Sequence, residues 1–366
     1  MSIQTIASKS SINSLLSSAD RVVLYGAGNV GRDVLGLLTD LGVNVHCFID
    51  AKELQIQDIN GIPIYNPGDQ RFSDEFKRET RVILSLFNAY VSVPAILENL
   101  KKLGWKNVTT FLQLHRLYPN ELGRRYWLTD LDFYPEKEAF YTKALDIWAD
   151  EKSRNLYESI LNFRFTLNYS LLPEPDLNGQ YFPDDVPSWN LPLDMVDCGA
   201  YDGDTLNSAM TKKITIGKVA AFEPDENNFK KLAKTVQAIN KDIILFPCGV
   251  WSHCSQLRFS SGNGSGSAIS SVGDTVIQCV SIDEALSSFA PNLIKMDIEG
   301  AEYAALRGAR KTIQKHRPGL AICLYHNPEH LWQIPLLIAE WGLNYKFYLR
   351  CHYYSGFELV FYAIPE

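Results

Sequence analysis

The apolar and polar positions alternate between two periods along most of the chain. Short β-type runs, apolar throughout, are separated by stretches in which apolar residues recur every three or four positions. Near the start, Arg21–Tyr25, Val43–Ile49, Gly61–Tyr65, Arg81–Ser85 and Val108–Phe111 read as strands. Helical periods fall between them, at about 32–41 and 91–103. From about Glu136 to Leu172 the period is helical, with Phe140, Ala144, Ile147, Trp148, Tyr157, Ile160, Leu161 and Phe165 on apolar positions. One broken helix or two consecutive ones are expected there, packed under the second half of the chain. Pro173, Pro175, Gly179, Pro183 and Pro187 end that pattern.

Alternation then resumes. Strands are expected at Leu193–Val196, Lys218–Phe222, Ile243–Phe246, Thr275–Val280, Leu293–Met296 and Gly319–Leu324. Helices are expected at about 204–211, 224–239, 282–286, 302–315 and 328–341, the last kinked at Pro335. Tyr345–Leu349 and Glu358–Ala363 have no helix between them and so form an antiparallel pair. Strands alternating with helices specify an α/β fold with largely parallel sheets. The expected division is 1–117 for a small first domain, 118–185 for a helical connector and 186–366 for a second domain.

Composition narrows the function classes. The chain has 366 residues, 46% of them hydrophobic and 21% charged, with a net charge of −7. That acidity argues against a nucleic-acid surface, which needs clustered Lys and Arg. The first 20 residues are Ser-rich without a signal-peptide core, and no apolar run reaches the roughly 18 residues of a membrane span. The seven cysteines are scattered and form no C-x-x-C pair. They read as small hydrophobes in a reduced, cytoplasmic protein, with no metal cluster.

Two glycine turns carry candidate chemistry. The first, Gly26-Ala27-Gly28-Asn29-Val30-Gly31, comes after a strand, opens a helix, and is succeeded after the next strand by Asp50. A Rossmann-like unit of this kind places a pyrophosphate at the helix N-terminus and Asp50 on a ribose hydroxyl. The alternative is a turn kept for packing alone. Tyr25-Gly26-Ala27-Gly28 and Phe48-Ile49-Asp50 resemble the N-terminal domains of sugar O-acyltransferases that hold nucleotide sugars. Gly26, Gly28, Gly31 and Asp50 are thus the candidate nucleotide site of the first domain.

The second turn, Asp197-Cys198-Gly199-Ala200-Tyr201-Asp202-Gly203, joins a strand to a helix opening at Asp204 and Thr205. Acids also end two further strands, at Glu223 and at Asp297 with Glu299. In a doubly wound sheet such ends sit side by side at the carboxyl edge. Glu223 is placed to accept from ribose hydroxyls. Acids at 297 and 299 repel a pyrophosphate and favour a cation, so S-adenosylmethionine, with its sulfonium, fits better than a dinucleotide.

Residues 196–205, Phe222-Glu223-Pro224 and 294–302 resemble the signature segments of the FkbM family of S-adenosylmethionine-dependent methyltransferases. Gln180-Tyr181-Phe182-Pro183 and 325–332 resemble further family segments, and the likeness runs from about residue 140 to 366. It implies a class I methyltransferase-type doubly wound sheet, parallel with an antiparallel C-terminal strand, and methylation of an oxygen, often on a sugar or polyketide. Carried over by residue, Asp197, Gly199, Ala200, Asp202, Gly203, Glu223 and Asp297 bind the cofactor, with Ser267 and Ala268 near the adenine. Cys351-His352-Tyr353 departs from the Arg-His-Tyr of similar members, which puts the acceptor in doubt.

Removing the hydroxyl proton requires a base, and His326, beside Asp297 and Glu299, is the expected one. The same three residues offer an alternative, a divalent cation acting as Lewis acid. His330 reads as a first-turn or acceptor-side residue, and Tyr181 and Trp332 as either acceptor-stacking aromatics or core. The expected partners are a small-molecule or sugar-nucleotide acceptor and a glycan-pathway enzyme. Two other readings stand beside this one: a non-catalytic ligand- or partner-binding protein on the same fold, and NAD(P)-linked sugar-nucleotide chemistry in the first domain.

Overall fold

The computed structural model describes residues 21–52, 56–130, 132–239, 241–260, 268–269, 273 and 275–366. The Ser-rich stretch 1–20 and Ser267 lie outside them. The chain divides into two compact units. The first takes the chain through Glu138 with Ser159–Glu174 and Tyr354–Phe357; the second takes Ala139–Glu158, Pro175–Tyr353 and Glu358–Glu366. The segment 118–185 is therefore shared between the units.

In the first unit, β1 (Val22–Tyr25), β2 (Val45–Ile49), β3 (Asp58–Ile59), β4 (Ile62–Tyr65), β5 (Arg81–Leu84) and β6 (Asn107–Thr110) form one sheet in the order β3-β4-β2-β1-β5-β6. Every pair is parallel except β3 with β4. β1 is buried at all four positions, as a central parallel strand with helices on both faces must be. Its two faces feed separate cores, one around Leu24, Leu38 and Phe48, the other around Val23, Ile49 and Trp105.

In the second unit, β7 (Leu193–Cys198), β8 (Ile216–Phe222), β9 (Ile243–Phe246), β14 (Leu293–Met296), β15 (Gly319–Cys323), β16 (Tyr345–Cys351) and β17 (Leu359–Pro365) form a seven-stranded sheet. Its order is β16-β17-β15-β14-β7-β8-β9. Only β17 runs against the rest, pairing antiparallel with both β15 and β16. This is the expected doubly wound sheet with an antiparallel C-terminal strand. β10 (Gly249–Val250), β11 (Ser255–Ser260), β12 (Ala268–Ile269) and β13 (Thr275–Val280) make a smaller sheet in the order β10-β13-β11-β12.

The segment 136–172 holds two α-helices, Glu138–Lys143 and Glu151–Thr166, one of the two arrangements expected there. Later elements differ from the sequence reading. The helix expected through Lys315 is broken at Ala309 into Glu302–Gly308 and Arg310–His316. There Gly308 packs so closely on Trp251 that a Cβ would lie 2.3 Å from its carbonyl oxygen. The helix expected from Pro328 opens at His330 and runs to Glu340 with Pro335 inside it. All seven cysteines are free thiols. No helix among the described residues is long and apolar enough to cross a membrane.

Candidate functional site

β8, β7 and β14 are consecutive in the second sheet, so Glu223, the glycine turn and Asp297 emerge side by side at its carboxyl edge. Close packing dictates the turn. Gly199 has φ +77°, and a Cβ there would lie 1.9 Å from the Asp297 carbonyl oxygen. Gly203, at φ +92°, is the N-cap of the helix Asp204–Thr211, and a Cβ would meet Thr235 at 2.8 Å. Only glycine combines that backbone with that approach. Ala200 is buried, and Asp202 offers its carbonyl to the Thr235 hydroxyl at 2.7 Å.

Glu223 ties the turn to the next strand. One of its carboxylate oxygens accepts from the Tyr201 N–H and the other from the Asp225 N–H, both at 2.9 Å. Burial pushes its pKa up to about 7 against those two bonds. Lone pairs beyond these two bonds suit a ligand's hydroxyls. Asp197 differs from the other acids. It is fully buried, and its carboxylate lies 3.0 Å from the Lys295 ammonium, which also donates to the Gly199 carbonyl at 2.7 Å. Burial opposes the Lys295 charge, but Asp197, Asp297 and Asp204 outweigh it and hold its pKa well above the usual range. Asp197 therefore fixes the turn through Lys295.

Beyond β14, carboxylates gather around His326. Its Nε2 lies 3.3 Å from Asp297 and 3.7 Å from Glu299, and its Nδ1 lies 2.8 Å from Glu302. Glu302 in turn lies 3.2 Å from His330 Nδ1. Burial works against the imidazolium, yet Glu302, Glu299 and Asp297 push the pKa of His326 up to about 10. Burial pushes Glu299 up to about 7, with Asp297 and Glu302 adding to the effect and His326 opposing it. Glu302 is held well below the usual carboxylate range because its two histidines outweigh its burial.

The acids around His326 favour its protonated form, which bears on its expected role as base. A ring protonated near neutrality has no lone pair with which to take a proton or bind a cation. The base and the Lewis-acid trio of Asp297, Glu299 and His326 both required a neutral ring. His326 also lies three residues beyond the end of β15, in the turn before the helix His330–Glu340.

A second cluster also reaches Asp297. Tyr181 donates to Asp297 at 2.7 Å, and Tyr325 donates to Glu358 at 2.7 Å and to Asp297 at 3.4 Å. Gln180 donates to Glu358 at 2.6 Å and to the Tyr181 hydroxyl at 3.0 Å. Asp297, Cys323 and Glu358 bring one polar atom each within 4.8 Å of one another. The two carboxylates are already bonded by phenols and an amide, and burial keeps the Cys323 thiol protonated. In this structure they form one hydrogen-bonded cluster. Burial and the neighbouring Asp297 push Glu358 up to about 8.

Three non-glycine residues here hold left-handed backbone: Tyr181 at φ 62°, Tyr201 at 48° and Glu299 at 54°. Such conformations persist only where the surrounding structure imposes them, and they concentrate at functional sites. Trp332 proves to be core, 1% exposed and edge-on to Tyr141. Around the divergent Cys351, Arg350 is buried and bound by Asp150 and Asp185, while His352 is held by the Asp176 carbonyl and the Tyr362 hydroxyl. Sequence reasoning missed Lys295, Glu302 and Glu358. Glu302 and Glu358 carried a signal, an acid opening a helix and an acid preceding a buried apolar strand.

In the first unit the three glycines separate. Gly26 has φ +100°, and a Cβ would meet Leu86 at 2.8 Å; at Gly31 it would meet the Gly26 carbonyl at 2.1 Å. At Gly28 it would meet nothing within 4 Å. Gly28 is the N-cap of the helix Asn29–Asp40. Asp50 accepts from the N–H groups of Ala27 at 3.0 Å and Lys52 at 2.9 Å, closing the turn onto its own carboxylate. Gly26 and Gly31 are thus explained by packing, and Gly28 leaves open space.

Residues 197–347 match the family model for the methyltransferase FkbM domain. Among solved structures, the chain is similar to the methyltransferase FkbM of Methylobacillus flagellatus KT at 23% identity and a TM-score of 0.76. That match covers 96% of this chain and 92% of the other. A putative rRNA methylase from Clostridium thermocellum is similar at 9% identity, with a TM-score of 0.30 over 48% of this chain and 88% of that one. A fibrillarin/Nop5p complex is similar at 13% identity, with a TM-score of 0.33 over 50% of this chain and 77% of that one. No curated protein matches the chain. Residues 197–347 thus match the FkbM methyltransferase domain model, and the chain has the fold of a solved FkbM methyltransferase.

Proposed function

We propose that the protein is an S-adenosylmethionine-dependent O-methyltransferase acting on a hydroxyl of a sugar, glycan precursor or related natural product in the cytoplasm. The observation that carries this reading is the row of Glu223, the glycine turn and Asp297 on three neighbouring strand ends. S-adenosylmethionine, when bound, supplies an electrophilic methyl group on a sulfonium. The residues present fit it. Glu223 would hold the ribose hydroxyls, the turn from Gly199 to Gly203 would seat the methionine part, and Asp297 and Glu299 would face the cation. The nearby Lys295 is already neutralised by Asp197.

Glu299 replaces His326 as the base in this reading. Glu299 would take the proton of an acceptor hydroxyl whose oxygen receives the methyl, the donor sulfur leaving as a neutral thioether. A carboxylate with a pKa of about 7 is matched to that task near neutrality. His326 stays protonated and balances the charge of the acids around it.

The charge of the site also describes the acceptor. Asp297, Glu299, Glu302 and Glu358 surround the transfer position, and the cations beside them are each paired with a carboxylate. A phosphate close to the reacting hydroxyl would be repelled, so a phosphorylated acceptor must hold its phosphate away from Asp297. For the first unit we propose a nucleotide or nucleotide sugar on the open side of Gly28, as acceptor or effector.

Calorimetric titration tests the donor seat. The wild type is expected to bind S-adenosylmethionine at one site, and Glu223→Ala to weaken binding by about tenfold or more. Equal affinity in the two proteins would remove Glu223 from the site.

A further inference from the structure

Glu302 is fully buried, and both of its carboxylate oxygens are engaged. One faces His326 Nδ1 at 2.8 Å and accepts from the Ile298 N–H at 2.9 Å and the Gly300 N–H at 3.4 Å. The other faces His330 Nδ1 at 3.2 Å. One side chain therefore grips the turn that presents Asp297 and Glu299, the ring between them, and the first residue of the helix His330–Glu340. Glu299 sits at the centre of that turn in left-handed backbone, flanked by Gly300 at φ +101°. A strained turn of this kind needs an anchor, and the two amides bound by Glu302 supply it.

We propose that Glu302 is the positioning residue of the transfer site: by binding His326, His330 and the 298–300 backbone together, it holds the His326 ring with Nε2 against the Asp297 and Glu299 carboxylates. The role in methyl transfer rests on the reading that those carboxylates flank the reacting hydroxyl; the clamp itself does not. The carboxylates acting on the ring are Glu302 at the start of the helix Glu302–Gly308, Asp297 and Glu299 in the turn after β14, and Glu358 just before β17; the Tyr325 ring lies 4.0 Å away and His330 shares Glu302. With Glu302 neutralised, the ring loses its shortest carboxylate contact, on Nδ1. Of the three carboxylates, only Asp297 and Glu299 then orient the ring, and both do so through Nε2.

The test uses the full chain with ¹⁵N-labelled histidine. In the wild type at about pH 8, both His326 ring nitrogens should show the protonated signature. In Glu302→Gln the ring should lose its second proton at a pH closer to neutrality. In the same variant kcat should fall by about tenfold or more, with acceptor KM and S-adenosylmethionine affinity within a few-fold. The alkaline limb of the pH–rate profile should move to lower pH with the ring, and Glu302→Asp should recover part of the rate. A neutral His326 in the wild type at about pH 8 would overturn the proposal, even if the variant failed to fold. So would an unchanged ring titration and pH profile in Glu302→Gln. If the wild type methylated no acceptor, the methyltransferase reading would fail while the ring titration still decided the clamp.

Discussion

Replacing Glu299 with glutamine is expected to lower kcat by about 10²- to 10⁴-fold while leaving S-adenosylmethionine affinity almost unchanged. The amide keeps the size of the side chain and its place in the turn, but it cannot take the hydroxyl proton. In the wild type, kcat/KM should rise with pH as Glu299 loses its proton around a pKa of about 7, and stay level until His326 loses its proton at about 10. The sign comes from the role: a carboxyl group acts as a base only when ionised. Glu299→Gln should remove that rise. His326→Ala removes the charge balance instead, and its acid limb should move to higher pH, because Glu299 then ionises without an imidazolium 3.7 Å away. Stopped-flow or discontinuous assays across the neutral range separate the two. A wild-type rate controlled by a group that Glu299→Gln leaves in place would contradict the assignment.

Lys295→Met should have the largest effect on stability. It leaves the Asp197 carboxylate fully buried without its cation, and it also frees the Gly199 carbonyl. Breaking a buried ion pair from one side costs about 3–5 kcal/mol. A fall of that size should appear in urea unfolding at neutral pH. The double variant Lys295→Met with Asp197→Leu should recover much of it, since no buried charge then remains unpaired. Loss within about 0.5 kcal/mol in the single variant would show that the pair contributes little.

Parallel strands buried on both faces are largely apolar runs, so β7, β8, β14 and β15 were readable from Leu193, Lys218, Leu293 and Gly319 onward. Their acidic ends were readable too, because Glu223 and Asp297 follow the last residue of such a run and Asp197 is the last residue but one of β7. β11 was harder to see, since Ser255–Ser260 mixes serines and a charge with its two apolar positions. The partners of the site were not readable. Lys295 lies within an apolar strand and meets Asp197 only because β14 pairs in parallel with β7. Glu358 reaches Tyr325 and Gln180 across long separations that no local period records. The protonation of His326 depends on three carboxylates gathered by folding. Spacing alone placed His326 near Asp297 and Glu299 but did not reveal Glu302 as its nearest carboxylate.

Methyl transfer itself is tested most directly by following label from methyl-labelled S-adenosylmethionine into a panel of neutral sugars, glycan precursors and sugar nucleotides. A labelled methyl ether is expected on a hydroxyl of at least one acceptor with no phosphate near that hydroxyl, and no label in Glu299→Gln over the same time. No transfer to any acceptor, together with no calorimetric binding of S-adenosylmethionine, would contradict the assignment and leave the fold as that of a binding protein.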